Sequence, residues 1–201
     1  LRGSIQNYEN WQLTINGETT TSTTYHTTAI TNLAIDWIND QTNPWFLWLA
    51  YSAPHTPYHL PPQNLHSRNL SGTDADINSN PRSYYLAAIE AMDTEIGRLL
   101  SSLDQDTLRD TLVIFMGDNG TPGRVRNRSV YANGAKGTLY EGGLAVPMVI
   151  SGSGVTRKNE RDSNLINSTD LFATIIEIAG GNSTELPEDS ISFARLLNST
   201  E

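Results

Sequence analysis

The apolar positions change their period several times along the chain, and each change marks an element. Residues 1–24 are polar and threonine-rich, with Trp11, Leu13 and Ile15 alternating against polar neighbours as in a short strand or hairpin. From Thr28 the spacing becomes Ile30, Leu33-Ala34, Trp37-Ile38. That pattern predicts an amphipathic helix capped by Thr27 or Thr28 and ending near Asn39. Trp45-Phe46-Leu47-Trp48-Leu49-Ala50-Tyr51 is apolar at every position and too short for a typical helix, so it reads as a strand buried on both faces. The proline-dense run Ser52–Pro62 cannot continue that strand, and the polar stretch onward to Asn80 reads as a surface connection.

Pro81 opens a long helix, with Asn80 as its cap and Leu86, Ile89, Met92, Ile96, Leu99 and Leu103 on one face. Thr111–Met116 and Val146–Ser151 are two further apolar runs of strand length, separated by a long loop from Asp118 to Ala145. Loops of that length inside compact domains are usually functional or disordered. A last helix is expected over Asp170–Ala179, stopped by Gly180-Gly181, and a weaker one around Phe193–Leu197. Helices alternating with buried strands predict an α/β arrangement, a mainly parallel sheet with helices on both faces. In such sheets ligands gather beyond the carboxyl ends of the strands, which would put His55 and Asp118-Asn119 on one edge.

Composition narrows the function classes. The 201 residues suit a single domain, 1–201, with 1–24 as a polar strand or loop segment and 25–201 as the α/β portion. A net charge of -9 argues against nucleic acid as a partner, because phosphate-backbone binding needs a basic surface. The longest apolar run, Pro44–Ala50, is far short of the roughly 20 residues of a membrane span. With no cysteine, the chain encodes no disulfide, thiolate metal site or cysteine nucleophile. No initiator methionine or leader opens it at Leu1-Arg2-Gly3-Ser4, so further sequence is expected upstream. Among its basic residues only Lys136 and Lys158 are lysines.

Three places carry candidate chemistry. Asp118 and Asn119 offer hard oxygen donors suited to Ca²⁺ or Mg²⁺, although Asp-Asn-Gly is also good turn chemistry, with Gly120 free to take positive φ. His55 is framed by Pro54 and Pro57, which restrict its backbone. Its ring could contact an anion or protonate a leaving oxygen, or simply be solvated. Lys136 stands between Gly134-Ala135 and Gly137, where a ligand could come close, or where a solvated loop lysine could equally sit. His59 and His66 lack such framing and read as surface histidines. Tyr25, Trp45, Trp48 and Tyr51 read as core, and Glu141-Gly142-Gly143 as a turn into the next strand. Arg124, Arg126 and Arg128 alternate in the long loop, as arginines lining an anion's path or a solvated edge would.

Six segments in order carry a resemblance: Tyr25–Ile38, Trp45–Pro57, Tyr84–Leu100 with Ala91-Met92-Asp93, Thr111–Gly120, Lys136–Pro147 and Ser168–Gly180. Together they resemble the type I sulfatase family of the alkaline phosphatase superfamily. The resemblance implies part of an alkaline-phosphatase-like α/β sandwich with a mainly parallel mixed sheet. It implies Asp118 and Asn119 as the second pair of Ca²⁺ ligands, with Mg²⁺ as an alternative. It also implies His55 as a sulfate contact and proton donor to the leaving alcohol, and Lys136 as a contact to the sulfate and its bridging oxygen.

The family's nucleophile is a formylglycine made within Cys/Ser-x-Pro-x-Arg, and this chain contains neither that motif nor the family's paired N-terminal aspartates. The missing N-terminal segment is thus required to complete the site, and the chain alone is expected to be inactive. Implied partners are a sulfated small molecule or sulfated carbohydrate, and the implied location is periplasmic or secreted. A phosphodiesterase or phosphonate monoester hydrolase on the same scaffold, or a non-catalytic binder of sulfated glycans, are the alternatives. Within the matched region Ala145 stands where many relatives have arginine and Asp189-Ser190 where Asp-Gly is usual, and the family's small C-terminal subdomain is not reached.

Overall fold

A computed structural model describes residues 5–181 and 189–199. Leu1–Ser4, where a leader was looked for, lie outside the described residues. The chain packs as two units, one formed by Leu1–Asp104 with Asn119–Ala145 and the other by Gln105–Asp118 with Val146–Glu201.

The first unit opens with a hairpin of β1 (Trp11–Ile15) and β2 (Glu18–Ser22), antiparallel with Trp11 opposite Ser22. Its two-residue turn is Asn16-Gly17, both with positive φ, the conformation that continues the natural twist of the strands. Helix α1 (His26–Asn39) begins two or three residues earlier than a cap at Thr27 or Thr28 predicts and has no side-chain cap. The cap is a backbone carbonyl instead, because the His26 N–H donates to Tyr8 O at 2.7 Å. Thr28 is thereby released, and its hydroxyl donates to Glu95 Oε1 at 2.7 Å.

Helix α3 (Pro81–Ser102) has Pro81 in its first turn and Asn80 at the N-cap position as expected, but the Asn80 side chain makes no capping hydrogen bond. The Asn80 amide donates to Asp76 Oδ1 at 2.6 Å. The buried face of α3 is also rotated from the leucine side. It comprises Tyr84, Ala87, Ala88, Ala91, Met92 and Glu95, whereas Leu86, Ile89, Ile96 and Leu99 are half-buried. Small side chains let α1 and α3 approach, and the carboxylate between them is fully paired. Glu95, 2% exposed, accepts from Thr28 and from Arg98 Nε at 2.7 Å, and Arg98 Nη2 reaches Asn32 Oδ1 at 2.8 Å. Around this helix pair a core forms from Tyr8, Tyr25, Ala53, Leu65, Ala91 and Met92.

Two sequence expectations are corrected in this unit. The stretch to Asn80 is not featureless, since it contains a 3-10 turn at Gln63–Leu65 and helix α2 (Asp74–Ser79). Trp45–Tyr51 forms no regular element and pairs with no strand among the described residues. It is not buried on both sides. Trp45, Leu47, Leu49 and Tyr51 are half-buried, while Phe46 is 60% and Trp48 66% exposed, so only one face of the run is covered.

The second unit holds α4 (Gln105–Asp110), β3 (Leu112–Met116), β4 (Met148–Gly152) and α6 (Asp170–Ile178), with a final 3-10 turn at Ala194–Leu197. β3 and β4 pair antiparallel with Ile114 opposite Ile150. The mainly parallel sheet is therefore not formed among the described residues, where both ladders are antiparallel pairs of strands. One face of β3 and β4 is open, with the cross-strand neighbours Phe115 and Val149 both exposed. α6 ends as the sequence indicates, at Gly180 with φ +73°.

Ser190, which departs from the usual glycine, has a structural role. Its buried hydroxyl accepts from the Ala173 N–H at 3.0 Å and donates to Thr169 O at 2.8 Å, tying the chain to the first turn of α6. Ser190→Gly removes both bonds, so unfolding of this unit, followed by urea titration, is expected at a stability lower by about 1–2 kcal/mol. An unchanged midpoint would mean that water replaces the hydroxyl without loss.

Candidate active site

The loop from Asn119 to Ala145 is closed upon itself by glycines that lie against backbone. A side chain at Gly120 would meet Gly142 O at 2.4 Å, one at Gly142 would meet Gly134 O at 2.8 Å, and one at Gly143 would meet Thr138 O at 2.1 Å. Gly120 is thus required for close approach and not, as Asp-Asn-Gly turn chemistry suggests, for positive φ. Glu141-Gly142-Gly143 is likewise not a plain turn, because Glu141–Leu144 forms the short helix α5.

This closure positions Lys136. Its N–H donates to Thr121 O at 2.9 Å, which brings the residue to the segment that begins at Asn119. Thr138 Oγ1 accepts from the Ala135 N–H at 3.1 Å, and Arg126 Nη1 donates to Gly134 O, so the flanks of Lys136 are held too. The lysine side chain is exposed, and its ammonium has no partner among the described residues. The three alternating arginines do not act alike: Arg124 donates to Asn78 O, Arg126 is spent on the loop, and Arg128 is exposed.

Asp118 follows β3, where the Gly117 N–H to Pro147 O bond at 3.0 Å continues the ladder past Met116. Both Asp118 and Asn119 are exposed. By packing Asp118 belongs to the second unit, and Asn119, His55 and Lys136 to the first. Two oxygen-bearing side chains fit a hard cation in kind but not in number, since Ca²⁺ takes six to eight oxygens. Among the described residues no group of three or more His, Asp or Glu is arranged to hold a metal.

His55 is exposed on the proline-framed loop, in a turn closed by its N–H to Ser52 O at 2.9 Å. Nδ1 lies 2.9 Å from Thr56 O, and a carbonyl only accepts, so Nδ1 carries the hydrogen. Nε2 has no hydrogen-bond partner among the described residues. No hydrogen bond or ion pair joins this ring to Lys136 among the described residues.

The sequence reading misplaced the other two loop histidines. His66 is buried, with Nε2 on Pro61 O at 3.1 Å and Nδ1 accepting from the Arg68 N–H at 3.2 Å. His59 is enclosed by aromatic rings, stacked on Tyr8 at 4.0 Å and bonded through Nε2 to the Tyr25 hydroxyl at 3.0 Å. Burial lowers the pKa of His59 and raises that of Tyr25 to about 12, so a neutral ring faces a protonated phenol. Nothing in the spacing of His59 or Tyr8 signals this arrangement, because it is made by residues 51 apart closing on one loop. A cavity of about 320 Å³ lined by Asn64, His66, Glu90 and Asp93 is a weaker candidate. Its His66 and Glu90 are already engaged, the latter by Ser67 and Arg68.

The Sulfatase family model matches residues 2–181. Arylsulfatase K of Canis lupus familiaris is 27% identical over 168 residues, covering 78% of this chain and 30% of the relative. N-acetylglucosamine-6-sulfatase of Bos taurus is 24% identical over 231 residues, covering 94% and 39% respectively. The chain therefore spans about a third of the length of these relatives. Among solved structures, Ps i-CgsB superposes with a TM-score of 0.73 at 28% identity, over 90% of this chain and 40% of that one. The same protein in complex with k-i-k-neocarrahexaose gives a TM-score of 0.71 at 29% identity, with the same coverage. No helix among the described residues is long and apolar enough to cross a membrane.

Proposed function

We propose, from the premise that this chain belongs to the sulfatase family, that the protein it forms part of is a Ca²⁺-dependent hydrolase of sulfate esters. The observation that carries the reading is the glycine-closed loop, which fixes Lys136 against Thr121 and leaves its ammonium without a partner among the described residues. A fixed, uncompensated cation is what a sulfate oxygen needs as charge develops on it. Asp118 and Asn119 would hold the metal, with Mg²⁺ possible, through their oxygens and further ligands from polypeptide beyond these residues. Bound there, the ion would neutralise charge on the sulfate oxygens.

His55 acts on the leaving group. In its imidazolium form the Nδ1–H stays on Thr56 O, so Nε2 is the atom that gives its proton to the departing alcohol oxygen. The neutral ring that results is the tautomer already held in the structure. The nucleophile, a formylglycine, is supplied by polypeptide beyond these 201 residues, since they contain no Cys/Ser-x-Pro-x-Arg motif in which to form it. A sulfated small molecule or sulfated carbohydrate is the substrate, the second favoured by the oligosaccharide bound in the related structure. Periplasmic or secreted location accords with that class of substrate.

The test is turnover by the whole polypeptide with Ca²⁺. An aryl sulfate is expected to be hydrolysed in preference to an aryl phosphodiester or phosphonate monoester, with loss on chelation, recovery on adding Ca²⁺, and no turnover by the 201-residue chain alone. Preference for the phosphodiester would reassign the activity within the superfamily. Retained binding of a sulfated glycan with no hydrolysis would make this a non-catalytic member.

A further inference from the structure

We propose that Tyr8 and His59 are positioning residues that hold the loop of His55 in its working conformation, an inference that rests on the role given to His55 above. The loop between Tyr51 and Leu60 contains two prolines and forms no regular structure; His55 itself serves Ser52 O and Thr56 O, and the carbonyls of His55 and Pro57 need partners from elsewhere. Side chains supply them. The Tyr8 hydroxyl lies 2.9 Å from both Ser52 O and His55 O and shares its one hydrogen between these two acceptors, bracketing the turn from which the His55 ring projects. His59 Nδ1 lies 2.9 Å from Pro57 O and must donate to it, which leaves Nε2 to accept from the Tyr25 hydroxyl at 3.0 Å.

The two anchors are one unit, because the rings of Tyr8 and His59 stack at 4.0 Å with 20° between their planes. Tyr8 is itself buried, 2% exposed, and its carbonyl caps α1 through the His26 N–H. The loop is thus referred to the core of the first unit at three carbonyls, those of residues 52, 55 and 57. Bulk packing alone would not require polar tips aimed at the backbone on both sides of one exposed histidine.

Tyr8→Phe keeps the ring and the stack and removes only the hydroxyl. In the whole polypeptide with Ca²⁺, this variant is expected to lower kcat on aryl sulfates about tenfold, with KM changed less than about twofold. The loss grows as the leaving phenol becomes more basic, as for any weakening of the acid. On a His55→Ala background the same change is expected to cost nothing further, since its effect passes through His55. His59→Phe, which retains stacking but loses the Nδ1 donor, should behave alike, and His59→Asn, which restores a donor at that place, should recover most of the rate. Losses that multiply on the His55→Ala background, or that are equal for all leaving groups, would overturn the positioning role while leaving His55 as the acid. If His55→Ala itself leaves the leaving-group dependence unchanged, the role of His55 falls and the positioning proposal falls with it. Melting curves of each variant separate these outcomes from unfolding.

Discussion

Replacing Lys136 by alanine is expected to lower kcat/KM of the whole protein on an aryl sulfate by about 10²–10³-fold, the loss typical of removing one fixed group that stabilises a developing oxyanion. Stability should barely change. The side chain is exposed and has no hydrogen-bond or ion-pair partner among the described residues, and surface changes of this kind usually stay within about 0.5 kcal/mol. What fixes the residue is its backbone, through the bond to Thr121 O, and alanine retains that bond. Lys136→Arg is expected to recover only part of the rate, because a planar guanidinium does not place its charge where a compact ammonium does. A Lys136→Ala enzyme within threefold of the parent, assayed below KM, would remove this residue from the reaction.

Gly143→Ala is expected to be nearly as damaging to activity, for a different reason. Its Cβ would stand 2.1 Å from Thr138 O and 2.6 Å from Ala135 O, carbonyls two residues after and one before Lys136. Neither oxygen can swing aside as a side-chain tip can, so the loop must shift, at a cost of roughly 3 kcal/mol or more. Gly123→Ala is the control, since its Cβ would meet only the Ala135 methyl at 3.6 Å, an ordinary contact. The expected pattern is a loss of kcat/KM of about a hundredfold in Gly143→Ala and little change in Gly123→Ala, with both proteins folded by circular dichroism. Equal activity of the two variants would show that the closed loop does not hold Lys136 for catalysis.

Much of the local structure is legible in the sequence, because local patterns set it. The hairpin at Asn16-Gly17, the proline-led start of α3 and the glycine stop of α6 all arise from residues within a few positions of the event. Helix α2 was legible too, since Thr73 three residues before Asp76 is a capping pattern and the Asp76 N–H does donate to Thr73 Oγ1. The misplaced features depend on distant partners. Glu95 on the buried face of α3 makes sense only once Thr28 and Arg98 surround it. His59 is indistinguishable from a surface histidine until Tyr8 and Tyr25 close over it.

The candidate site shows the same division. His55, Asp118, Asn119 and Lys136 were picked out by chemistry and local framing, whereas the groups that orient them were not. Tyr8 lies 47 residues from His55, and its contact is made by a hydroxyl to a carbonyl, which leaves no mark in composition or period. The glycines were visible, but the need for them was misread at Gly120. Close approach of two backbones and a positive φ both select glycine, and only the fold tells them apart.

The open face of Trp45–Tyr51 gives the chain an optical property. Of its four tryptophans, Trp11 is 6% exposed in the hairpin while Trp48 is 66% exposed on the unpaired run. Emission from the isolated portion should therefore contain a quenchable, red-shifted component, from Trp48 together with the 40% exposed Trp37, beside a protected one from Trp11. Only the first should move to the blue when the rest of the polypeptide covers that face, so intrinsic fluorescence reads assembly directly.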